Sequence, residues 1–162
     1  KEGRAKIKKT FLVPHGGELK VYPPVVAAIK DANYIIVGPG DLYTSIIPNF
    51  LVPGVKEAIK DSTAKLIYVL NIMTKRGETD DMVGEELVER IEESLGRKVD
   101  LILTNSQLPT KEVLEKYKSE GSDPIQLKLE SEKIIKRDLI SLGDLARHDA
   151  TKLRNALKEV LI

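Results

Sequence analysis

The chain has no cysteine, so it can hold neither a disulfide nor a thiolate-ligated metal. It has no surplus of charge either. Its 26 Lys and Arg stand against 25 Asp and Glu, which leaves no broad cationic face for nucleic acid. No run of about 18 apolar residues occurs, and no leader pattern opens the chain, so the expectation is a cytoplasmic protein without a membrane partner. What is present is 162 residues, 41% of them hydrophobic, enough for one domain with a real core.

The most informative stretch is Tyr34 to Ser45, Y-I-I-V-G-P-G-D-L-Y-T-S. The apolar run Tyr34-Ile35-Ile36-Val37 predicts a strand buried on both faces, as in a parallel sheet. Gly38-Pro39-Gly40 then forces a sharp turn with no side chains in the way. Asp41 offers a helix N-cap, and Thr44 and Ser45 offer hydroxyls in the turns that follow. Strand, glycine loop and helix start, in that order, leave backbone N–H groups aimed outward, which is how α/β folds hold phosphate. The alternative is a purely structural turn.

The rest of the chain reads as alternating strands and helices. Lys6–Val13 is expected to be a strand, and Val25–Asp31 a helix with Val25, Val26 and Ile29 inward. After the glycine loop, Tyr43–Ile47 predicts a short helix stopped near Pro48. Asn49 then braces the loop, and Val55–Lys60 forms a second helix with Ala58 and Ile59 inward. Ala64–Leu70 is the next parallel strand, ending in Asn71-Ile72-Met73-Thr74-Lys75-Arg76-Gly77-Glu78-Thr79-Asp80. Ligands in open α/β sheets bind at the carboxyl ends of strands, so this loop should flank the glycine loop. Asn71 can donate to and accept from a base or sugar, and Thr74 and Thr79 can add hydroxyls. Thr79 and Asp80 also suit capping of the next helix, with Glu78 near its positive end.

Gly84–Leu95 is amphipathic, with Leu87, Val88, Ile91 and Leu95 on one stripe and a solvated acidic face opposite. Val99–Thr104 predicts a strand ending at Asn105, a further candidate. Pro109–Tyr117 predicts a helix capped by Thr110. Ile125–Leu129 and Ile134–Ile140 read as strands. A last helix runs from Thr151 to Leu161, capped by Asp149, with Leu153, Ala156, Leu157 and Val160 inward. His15 stands alone in a loop. His148 and Asp149 are adjacent, which does not make a catalytic dyad, and no nucleophile motif accompanies them.

Three stretches carry a family resemblance: the run from Tyr34 to Gly54, the N-x-M-T-x-x-G-E-T-D loop from Asn71, and Y-x-x-E-G-x-x-P from Tyr117 to Pro124. Arg147-His148-Asp149 matches as well. Together they resemble the gluconeogenesis factor (YvcK-like) family, relatives of 2-phospho-L-lactate transferase, which builds a deazaflavin cofactor. The resemblance implies an α/β, Rossmann-like three-layer fold with a mostly parallel sheet. It also implies UDP-sugar binding, with UDP-N-acetylglucosamine or UDP-glucose as partner, and a role in central carbon metabolism and cell-shape control. A homo-oligomer is implied too. The family's opening G-G-G-T-G loop has no counterpart here, and Lys1-Glu2-Gly3-Arg4 is a polar lead-in. The expectation is therefore the C-terminal half of one domain, with the N-terminal half on a separate chain or segment.

The resemblance ties Tyr117 and Arg147 to the nucleotide-sugar. From chemistry alone, Tyr117 can stack on uracil, reach a phosphate, or simply pack with its hydroxyl in water. Arg147 can clamp a diphosphate with two parallel N–H bonds, or pair with Asp149. The expected crevice comprises Gly38, Pro39, Gly40, Asp41, Tyr43, Thr44, Ser45, Asn71, Thr74, Tyr117 and Arg147. No catalytic residue is assigned and no cofactor is required. Asp41 repels an anion unless it turns away or holds Mg2+ that bridges to phosphate. The alternative function is a Mg2+-dependent, phospholactyl transferase-like enzyme, which requires clustered carboxylates.

Overall fold

The computed structural model describes residues 7–143 and 145–161. At its centre is a four-stranded sheet in the order β1-β2-β3-β4. The strands are Tyr34–Val37, Lys65–Val69, Leu101–Asn105 and Ile134–Arg137, and every neighbouring pair is parallel. Six α-helices connect and cover them among the described residues: α1 Pro23–Asp31, α2 Ile47–Phe50, α3 Val55–Asp61, α4 Gly84–Leu95, α5 Lys111–Glu120 and α6 Ala150–Val160. One sheet face, with Leu66, Tyr68, Leu70 and Ile102, packs against α2, α3 and α4. The other, with Val69 and Leu103, packs against Leu153, Ala156 and Leu157 of α6. This is the expected three-layer α/β arrangement.

The amphipathic stripe of α4 is buried where the spacing placed it. Leu87, Ile91 and Leu95 are at most 2% exposed, each worth about 1.5–3 kcal/mol relative to a solvated side chain. Gly96 ends the helix in the left-handed conformation, with its N–H on the Glu92 carbonyl. At the amino end of the sheet the Arg97 guanidinium donates to the Ser62 and Ala64 carbonyls at 2.7 and 2.8 Å and to Asp100 at 2.9 Å. Asp100 in turn accepts from the Leu66 N–H at 2.8 Å, which pins the start of β2 to the turn before β3.

Several expectations fail for identifiable reasons. The stretch Ile7–Val13 forms no strand, because it has no ladder partner among the described residues; Lys6 and the lead-in before it lie outside them. β1 is not buried on both faces. It is a sheet edge, and Ile36 is 41% exposed, while the doubly covered strand is β2, with Leu66 to Leu70 at 0–1%. Val25 points outward at 40% exposure, because α1 packs beside α3 rather than on the sheet. Pro48 does not stop a helix. A π-helical turn over Leu42–Ile46 widens the chain and lets α2 begin with Pro48 in its first turn, where a missing N–H costs nothing.

Ile125–Leu129 is not a strand either. It wraps the start of α4: the Gln126 carbonyl accepts from the Gly84 N–H at 2.8 Å, and Glu85 Oε1 accepts from the Lys128 and Leu129 N–H groups at 2.7 Å each. Burial pushes the Glu85 carboxyl up, but these N–H bonds, its own N–H and the Lys128 charge prevail and hold it below the usual range. β4 is shorter than expected and ends at Arg137, after which Ile140 bridges antiparallel to His148.

Gly38 sets how closely the first two strands can approach at their carboxyl ends. Its φ is +83°, and an added Cβ would lie 2.9 Å from the Val69 carbonyl oxygen. Gly38→Ala is expected to cost about 2–4 kcal/mol, the sum of left-handed strain and backbone crowding. Denaturant unfolding measures this, and a loss below about 0.5 kcal/mol would contradict the close approach.

Candidate functional site at the carboxyl ends of the strands

Parallel strands in register deliver their carboxyl ends to one edge of the sheet. Val37 lies opposite Tyr68, so the loops after β1 and β2 leave side by side. A single side chain joins them. Asn71 Oδ1 accepts from the Gly40 N–H at 3.2 Å, and Asn71 Nδ2 donates to the Gly40 carbonyl at 2.8 Å. Asn71 thus holds the glycine loop and keeps one N–H and one lone pair to offer elsewhere.

The second link is a carboxylate. Glu78 Oε2 accepts from the Tyr43 N–H at 3.1 Å, and Glu78 Oε1 accepts from the Thr44 hydroxyl at 3.0 Å. The π-helical turn therefore has its entry capped from the neighbouring loop. Asp41 occupies the cap position by its backbone: its carbonyl accepts from the Ser45 and Ile46 N–H groups at 2.9 and 3.0 Å. Its side chain makes no cap bond and turns to Lys75, 3.4 Å away. Ser45 is exposed. Asn49 braces the turn as expected, donating to the Ser45 and Ile46 carbonyls at 2.6 and 3.1 Å.

Sequence reasoning assigned Glu78, Thr79 and Asp80 to the next helix, and the structure corrects this. Thr79 Oγ1 accepts from the Lys75 N–H at 2.7 Å and Asp80 from the Gly77 N–H at 2.6 Å, so both close their own loop. α4 is capped instead by Glu86, which accepts from the Val83 N–H at 3.0 Å. The signal missed was purely spatial. Nothing local says that a loop after β2 reaches the turn after β1.

The remaining expected residues border a second apolar cluster at this edge. Ile72, Met73, Val113, Ile140 and Ala146 are buried together, with Tyr117 packed against them and half-buried. Thr74 is 6% exposed and stitched to the turn after α5, its hydroxyl accepting from the Asp123 N–H at 2.8 Å. Asn105 is likewise structural, with Oδ1 accepting from the Leu139 N–H at 3.0 Å and Nδ2 donating to the Gln107 carbonyl. A small cavity of about 70 Å³ lies between Asn71 and Asn105.

Arg147 follows Ala146, is exposed, and forms no ion pair among the described residues, unlike Lys75 with Asp41 and Lys152 with Asp138. Pairing with Asp149 is absent because Asp149 caps α6, accepting from the Lys152 N–H at 2.8 Å. His15 stays exposed in its loop. His148 is largely buried. Desolvation lowers its pKa, a contact with the Leu70 backbone opposes this, and Nε2 is buried without a partner. Among the described residues, no group of three or more His, Cys, Asp or Glu is placed to hold a metal ion.

Two outcomes follow from this geometry. Asn71→Ala leaves both polar groups of Gly40 unpaired and should cost about 1–3 kcal/mol in denaturant unfolding, with faster hydrogen exchange at the Gly40 amide. The folded state keeps His148 neutral to a lower pH than the unfolded chain does, so the unfolded chain binds more protons below about pH 6.5. Stability should fall from there toward the lower folded pKa, and His148→Gln should flatten that part of the curve measured by unfolding midpoints. An unchanged slope in the variant would remove His148 as its source.

Comparison with known proteins bears on this edge of the sheet. Residues 1–142 match the family described as 2-phospho-L-lactate transferase CofD. A Thermotoga maritima protein provisionally named a gluconeogenesis factor is 38% identical over 177 residues, covering 98% of this chain and 56% of its own. The gluconeogenesis factor of Bacillus subtilis is 34% identical over 163 residues, covering 96% of this chain and 51% of its own. A crystal structure of a Bacillus halodurans protein superposes with a TM-score of 0.84 at 36% identity, over 94% of this chain and 51% of that one. The chain spans about half the length of the relatives it matches. On its glycine loop, its N-x-M-T-x-x-G-E-T-D loop and this likeness, the chain belongs to the gluconeogenesis factor branch of the CofD family.

Proposed function

We propose that this chain supplies one side of a UDP-sugar-binding crevice in a cytoplasmic regulator of central carbon metabolism and cell shape. The remaining half of the family domain, on another chain or segment, supplies the rest. The observation that carries the reading is Arg147: an exposed guanidinium without an acidic partner among the described residues, beside the cluster that follows Asn71. A guanidinium matches a diphosphate with two parallel bonds, where an ammonium offers a point charge. The glycine loop lies at the same strand ends, and Tyr117 offers a ring face for a base.

The transferase reading fits less well. Phospholactyl transfer draws on Mg2+ held by clustered carboxylates, and no such cluster exists among the described residues. Asp41, the one carboxylate beside the glycine loop expected to hold the ion, is tied to Lys75. A Mg2+ ion here would have to arrive with the phosphates that ligate it.

Calorimetric titration tests the proposal, using the chain assembled with the half its relatives carry, with and without Mg2+. UDP-N-acetylglucosamine and UDP-glucose should bind saturably, with UDP and ADP as controls. Arg147→Ala should weaken binding by about 10- to 100-fold, the loss of a charge-assisted pair of bonds. No binding by the intact assembly would sink the proposal.

A further inference from the structure

The cavity of about 70 Å³ beside the proposed crevice lies between the loops that leave β2 and β3. Asn71 and Ile72 line it from one loop and residues 106–109 from the other. Two contacts make it continuous with the crevice. Asn71 is the side chain that grips Gly40, and Ile72 belongs to the cluster on which Tyr117 packs.

The turn after β3 is held in place by its backbone. Asn105 Oδ1 accepts from the Leu139 N–H at 3.0 Å, and Asn105 Nδ2 donates to the Gln107 carbonyl. The Ser106 N–H donates to the Arg137 carbonyl at 2.8 Å. The side chains of the turn stay uncommitted. Among the described residues, the Ser106 hydroxyl and the Gln107 side-chain amide take no hydrogen bond. Asn71 keeps one N–H and one lone pair beyond its grip on Gly40. Leu108, 68% exposed, and Pro109, buried, supply apolar lining.

Size, polarity and charge together narrow what fits. A water takes about 30 Å³ of liquid, so the cavity holds about two waters or one acetamido-sized group, and neither a base nor a sugar ring. No Lys or Arg lines it, so a phosphate or carboxylate would be desolvated there without a countercharge. A hydroxyl would use the polar lining and leave the apolar lining to water. An acetamido group carries a donor, an acceptor and a methyl, one for each kind of surface present.

We infer that this cavity is a subsite for the acetamido substituent of the bound sugar, with Asn71 and Ser106 bonding its amide and Leu108 and Pro109 covering its methyl. The inference rests on the proposed UDP-sugar crevice and adds a preference to it, for acetamido sugars over plain hexoses.

Parallel calorimetric titrations of UDP-N-acetylglucosamine and UDP-glucose into the assembled protein test it. The acetamido sugar should bind tighter by about tenfold or more, because the plain hexose leaves the subsite's polar groups to water. Ser106→Leu fills the cavity at an exposed position and should bring the two affinities near parity. Leu108→Ser, also exposed, removes cover from the methyl and should shrink the preference by about threefold. Equal affinities in the unaltered protein overturn the subsite and leave the crevice standing. A preference that both substitutions leave unmoved, including a loss shared equally by the two ligands, also overturns the subsite. Binding of neither ligand overturns the crevice, and the subsite with it.

Discussion

The amide of Asn71 grips both polar groups of Gly40, and the carboxyl edge of the sheet depends on that grip. Beside it, the loop after β1 is held by the bonds of Glu78 to Tyr43 and Thr44 and by the pairing of Asp41 with Lys75. The residue type follows from the task. A carboxylate could accept from the Gly40 N–H but would face the Gly40 carbonyl with no proton, and a hydroxyl could not span both groups at once. Only an amide presents donor and acceptor side by side. The strand that carries it is the most buried in the molecule, so the grip comes from a rigid base.

A second constraint is electrostatic. The entry of the π-helical turn is a place where backbone N–H groups converge, and there the chain has put its own carboxylate, Glu78. Asp41 would add a second negative charge at the same spot, and Lys75 draws it aside. The pair is well exposed, so its contribution is of the small order of surface ion pairs; its effect is to orient rather than to stabilise. Loops 38–45 and 71–80 thus form one body through Asn71 and Glu78, although 31 and 35 residues separate the bonded partners.

What could be read from sequence and what could not divides along the same lines. β1, α4 and the α6 cap were legible because each is specified locally: a bounded apolar run, a period near 3.6, a side-chain oxygen before a helix. Ile7–Val13 and Ile125–Leu129 looked like strands because propensity describes a residue's preference and not whether a neighbour has a free edge for it. The exposure of Ile36 was invisible for the same reason, since edge or centre is a property of the assembled sheet. Among the site residues, the glycine loop and Asn71 were correctly placed together. Thr74 and Asn105, candidates after β2 and at the end of β3, each also accept from the backbone of a distant turn. Their bonds join residues 49 and 34 positions apart, a separation no local motif can encode.

These bonds bear on how the proposed UDP-sugar would place a phosphate here. Tyr43 N–H and the Thr44 hydroxyl are already spent on Glu78, so a phosphate cannot simply be added to them. Left in place, Glu78 would repel it; displaced, Glu78 would return to water, where an ionised carboxylate is well solvated. Both of its bonds are near the surface, so removing it costs little, of the order of one or two ordinary hydrogen bonds. A phosphate carries more charge and more acceptors than a carboxylate and would recover that cost on the same donors. The loop that holds Glu78 is closed on itself through Thr79 and Asp80, while Asn71 and Lys75 tie it to Gly40 and Asp41.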